Sequence, residues 1–82
     1  MMSTMRRNTD RKKRKRELEG FAARLKQLRE NNNLTLRELA EDIGIGRSTL
    51  GEYENAETDP SLSHVRRIAD YFGVSIDRLA GE

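Results

Sequence analysis

The sequence predicts an all-α domain of five short helices. Three observations lead there. Apolar residues recur at spacings of three and four in successive windows, Asn or Gly closes three of the five windows, and no stretch makes a convincing strand. The 82 residues suffice for one small domain. Cysteine is absent and His64 is the sole histidine, which excludes a disulfide framework, a thiolate metal site and a histidine-rich one; no cofactor is expected. No apolar run approaches the length of a membrane span. The charged N-terminus lacks the apolar segment of a secretory signal. A cytoplasmic protein is the expectation.

The charge is uneven. Residues 1–16 hold eight Lys or Arg against one Asp, a net of +7, whereas residues 17–82 hold eight basic residues against thirteen acids, a net of −5. We therefore divide the chain into a flexible basic arm, residues 1–16, read as unstructured, and a helical domain, residues 17–82. The run Arg11, Lys12, Lys13, Arg14, Lys15 and Arg16 suits a polyanion. It lacks the apolar stripe of a membrane-surface helix.

The first helical stripe is Leu18, Phe21, Ala22, Leu25 and Leu28, with Gly20 fraying its start and Asn31 to Asn33 ending it. Thr35 and Glu38 read as a capping box opening a second helix, whose apolar face is Leu36, Leu39, Ala40 and Ile43. Gly44 stops it. A third helix follows at once, with Gly46 as N-cap, and runs to about Glu54. Two helices joined this closely meet at a steep angle, as in a helix-turn-helix. Asp59 caps a fourth helix with Pro60 in its first turn, and Ser61 is the competing cap. Leu62, Val65, Ile68, Ala69 and Phe72 form its stripe, closed by Gly73. Ser75 caps a last helix that turns Ile76 and Leu79 inward, with Val74 as a staple.

The third helix, "GRSTLGEY", is intrinsically weak, because glycine costs about 1 kcal/mol relative to alanine in a helix interior. Leu50 and Tyr53 share one face, leaving Arg47, Ser48, Gly51 and Glu52 on another. An arginine there can donate to guanine O6 and N7, a glutamate can accept from cytosine N4, and serine suits either.

From Leu18 to Leu79 the chain resembles the phage-repressor helix-turn-helix family, of Cro/CI or xenobiotic-response-element type. The resemblance rests on Arg29, then "LTLRELA" and "GI", "STLGEYEN", "PSLSHVRRIADYFGVS" and the closing "IDRL", in order. It implies a compact five-helix, lambda-repressor-like DNA-binding domain and a sequence-specific transcriptional regulator, a repressor, that reads double-stranded DNA in the major groove with helix 46–54. Arg47, Ser48, Gly51 and Glu52 match base-contacting positions. Thr35, Gly46, Thr49 and Asn55 match backbone-contacting ones, Asn55 through its amide. Arg29 and Glu54 match a structural ion pair. The resemblance also implies a homodimer, at least on DNA; a weak contact through the last helix, Ile76 to Leu79, and dimerisation only on DNA are the alternative routes.

Some positions depart from that pattern. Leu36 stands where the family has a phosphate-bracing glutamine, Gly51 where a small hydroxyl is usual, and Ala56 where glycine makes a left-handed turn. Glu57 and Asp59 make acidic a loop that is often basic. Phosphate contacts supply most sequence-independent affinity, so the arm is expected to make up the missing charge. Leu36 and the acidic loop also fit the alternative, a helix-turn-helix protein-interaction module. Nothing supports an enzyme: His64 reads as a surface or phosphate-facing residue, and the acids are scattered over helix exteriors.

Overall fold

The computed structural model describes the backbone of residues 2–80 and the side chains of residues 14–80. Among them the order is α1 (Met2–Asn31), α2 (Leu36–Ile43), α3 (Arg47–Glu54), α4 (Leu62–Phe72) and α5 (Ile76–Leu79), with no strand. The core takes one fully buried side chain from each helix: Leu25, Leu39, Leu50, Ile68 and Leu79. Phe21, Ile43, Ile45, Tyr53 and Ala69 complete it. α3 packs against both α1 and α2, α4 against α2 and α5, and α5 closes onto α1.

Local chemistry sets the helix ends. Thr35 Oγ1 accepts from the Glu38 amide at 3.1 Å and Glu38 Oε1 accepts from the Thr35 amide at 2.9 Å, the reciprocal box expected from the sequence. Gly44 ends α2 at φ +75° and Gly73 ends α4 at φ +68°, left-handed conformations that glycine adopts without steric cost. Asn33 closes α1 in the same way at φ +57°. The amide of Leu34 then returns to the Arg29 carbonyl at 3.1 Å.

The sequence reading needs correction at four places. α1 is helical from Met2, where an unstructured arm was expected, and Gly20 lies inside it rather than at a fraying start. Arg and Lys are strong helix formers, and growth from the packed segment needs no second nucleus. The side chains of Arg11, Lys12 and Lys13 lie outside the described residues; those of Arg14, Lys15 and Arg16 are exposed. α4 is capped by Ser61, whose hydroxyl accepts from the His64 amide at 3.2 Å, so Asp59 is not the cap and Pro60 precedes the helix. Ile45, in the α2–α3 turn, is a core residue that the helical stripes omit. Leu79 is fully buried in its own domain, so it offers no surface for a dimer contact.

Candidate nucleic-acid interface

α2 and α3 are joined through Gly44, Ile45 and Gly46. The turn is held from below and from the side. Ile45 is 3% exposed, and Arg67 of α4 donates to the Gly44 carbonyl at 3.1 Å. The α4 residue Tyr71 adds a second tie to α2, its hydroxyl donating to Asp42 Oδ2 at 2.8 Å. These two contacts tie α4 to α2 and to the turn that leads into α3.

α3 shows two chemically distinct sides. Leu50 and Tyr53 are buried, at 0% and 4% exposure. The Tyr53 ring stands edge-on to Phe21 of α1, with centroids 5.9 Å apart. Its hydroxyl lies 2.6 Å from Nδ1 of His64 on α4. Burial raises the Tyr53 hydroxyl above the usual tyrosine range, so it stays protonated and able to donate. His64 is half-buried in this contact, which corrects its reading as a surface residue. Spacing within α4 cannot reveal a partner supplied by another helix.

On the other side Arg47, Ser48 and Glu52 are exposed, and Gly51 and Thr49 half-exposed. Within the described structure the side chains of Arg47, Ser48 and Glu52 form no hydrogen bond or ion pair, so their polar groups are left for a partner. Thr35 and Gly46 are exposed beside them. The Thr35 hydroxyl oxygen accepts from Glu38, and its own proton remains to donate. Gly46 gives α3 no side-chain cap. The Asn55 backbone amide is not open to a phosphate as the resemblance implied: it donates to the Gly51 carbonyl at 3.0 Å, and only the exposed side chain is left.

The far end of α3 is tied to α1. Arg29 Nε donates to Glu54 Oε2 at 2.6 Å and Nη2 to Oε1 at 3.0 Å, a two-pronged pair. The remaining nitrogen, Nη1, donates to the Leu34 carbonyl at 2.7 Å. One guanidinium thus joins α1, the α1–α2 loop and α3. Its hydrogen bond to Glu54 raises the Arg29 pKa above its already high value, so the cation persists at every working pH. Beyond Glu54, Ala56 adopts φ +56°, the left-handed turn where the pattern favours glycine. The Glu57 amide then closes onto the Glu52 carbonyl at 2.9 Å.

Leu36 is half-buried, and its Cδ1 would lie 3.9 Å from a β-carbon built on Gly51, an ordinary contact. Alanine therefore fits at position 51. Gly51→Ala is expected to raise stability by about 0.5–1 kcal/mol through helix propensity, read as a shifted urea midpoint with an unchanged slope.

Two helices meeting through a glycine-bearing turn, the second anchored by apolar groups and polar outside, define a helix-turn-helix domain. Residues 25–79 match the helix-turn-helix family HTH_3, and the chain belongs to that family. Over 61 residues it is 39% identical to the uncharacterized HTH-type transcriptional regulator YobD of Bacillus subtilis (strain 168), covering 74% of this chain and 54% of that one. Over 62 residues it is 32% identical to the cryptic phage CTXphi transcriptional repressor RstR of Vibrio cholerae, covering 76% and 56%. It thus spans about half the length of these two curated relatives. A crystal structure of an HTH_3 family transcriptional regulator from Vibrio cholerae superposes with a TM-score of 0.74 at 26% identity, over 80% of this chain and 37% of the other. No helix of the described residues is long and apolar enough to cross a membrane.

Proposed function

We propose that this chain is a sequence-specific DNA-binding transcription regulator, a cytoplasmic repressor, and that α3 enters the major groove. The observation that carries this reading is the division of α3: Leu50 and Tyr53 hold it to the core while Arg47, Ser48 and Glu52 stand exposed and without partners in the described structure. Relatives bearing the names of regulators and repressors support it. Arg47 is the guanine donor, Glu52 the acceptor for cytosine, Ser48 a contact to either, and Gly51 allows close approach. Thr35, Gly46, Thr49 and the Asn55 side chain flank the groove against phosphates. Two copies occupy a palindromic site, with their α3 helices one DNA turn apart. Sedimentation with and without the duplex tests this pairing.

The experiment is a selection of bound sequences from random duplexes at low salt. Arg47→Ala should lose about 1–3 kcal/mol of discrimination at one base position, roughly 5- to 150-fold, with folding unchanged within about 0.5 kcal/mol. Failure of the wild-type chain to bind any duplex would refute the reading. It would favour a helix-turn-helix protein-interaction module, to which the half-buried Leu36 and the exposed acids Glu57 and Asp59 point.

A further inference from the structure

The basic first half of α1 bears on the same partner. α1 is continuous from Met2 to Asn31, and its first turn contains no acid. A 30-residue helix is about 45 Å long, which accounts for a longest dimension of 48 Å against 23 and 20 Å in the other directions. Positive charge is concentrated at one end of this rod, since residues 1–16 carry a net of +7. Six consecutive basic residues, 11 to 16, fall within one helical stretch, and like charges at helical spacings of three and four cost stability. A line of anions offsets that cost.

The rod is placed beside α3. Arg14 and Lys15 line an open recess of about 400 Å³ together with Leu18, Glu19, Asn55 and Ala56. Asn55 and Ala56 directly follow the last residue of α3. Arg14 and Lys15 are exposed and, within the described structure, carry no hydrogen bond or ion pair. A duplex holding α3 in a groove about 12 Å wide has a phosphate strand on each side of that helix. Arg14 and Lys15 are the cations that line the recess at the Asn55 end of α3.

Resting on the DNA reading above, we infer that the basic half of α1 is a second duplex-contacting element, a helix lying along the phosphate backbone next to the site read by α3. It contributes affinity without sequence preference. It also offsets the net charge of −5 carried by residues 17–82, which by itself repels DNA. It thereby differs from an extended arm that enters a groove to read bases.

The test compares the full chain with a variant carrying R11Q, K12Q, K13Q, R14Q, K15Q and R16Q, on the duplex chosen by selection. Each phosphate contact contributes about 0.9 to the slope of log affinity against log salt, so the variant's slope should fall by about 3–5. Its affinity near physiological salt should drop by about 100-fold, its base preference should stay the same, and its hydroxyl-radical footprint should lose protection only at flanking phosphates. An unchanged slope or footprint would overturn the inference and leave the role of α3 intact. A changed base preference would also overturn it, since the helix would then be reading bases. If the wild-type chain binds no duplex, the DNA reading fails and this inference with it.

Discussion

Truncating Leu50 to alanine should lower the unfolding free energy by about 3–4 kcal/mol. Leu50 has no exposed surface and sits where α3 meets both α1 and α2. Removing its isobutyl group forfeits the transfer free energy of the lost carbons and opens a cavity, with a typical total of about 2–5 kcal/mol. Collapse around the gap is limited. The two helices that α3 packs against each contribute a fully buried leucine to the same core, Leu25 and Leu39. At roughly 4–8 °C per kcal/mol for a domain of this size, the midpoint of thermal unfolding should fall by about 15–25 °C. Urea unfolding followed by circular dichroism provides the measurement. A loss under about 1 kcal/mol would show that α3 is anchored by something other than this contact.

The second large effect concerns Arg29 and Glu54. Either residue replaced alone, as Arg29→Met or Glu54→Gln, should cost about 3 kcal/mol. That is the lower edge expected for breaking a buried pair, because the side chains retain 14% and 7% of their exposure. Arg29→Met should be the worse of the two, since it also strands the Leu34 carbonyl to which Nη1 donates. The double variant should be less damaged than the sum of the singles, because no lone charge is left behind. Thermal unfolding of the four proteins in the cycle measures this coupling. Strict additivity would mean that the two residues act independently despite their 2.6 Å contact.

Much of this fold was readable where the controlling interactions are local. The Thr35–Glu38 box, the Ser75 cap and the left-handed Gly44 and Gly73 each depend on groups within a few residues, and each has its own residue signature. The α4 start was harder, because Asp59 and Ser61 are both good caps and Pro60 tolerates either arrangement. Ile45 escaped periodic analysis because it lies between helices, and a turn residue becomes core only once the crossing of α2 and α3 is known. His64 escaped because its partner, Tyr53, is eleven positions away on another helix. The basic segment posed a different conflict: charge density argued for an unstructured chain, while helix propensity and continuity with the packed half of α1 argued the other way. On α3, spacing alone separated the anchors Leu50 and Tyr53 from the exposed Arg47, Ser48 and Glu52.

That separation matters for how such a domain evolves. Because the side chains of Arg47, Ser48 and Glu52 hold nothing of their own chain together in the described structure, selection on those three positions is uncoupled from selection for folding. On the DNA reading proposed above, duplicated copies of the gene would be free to diverge in their targets while inheriting the same scaffold.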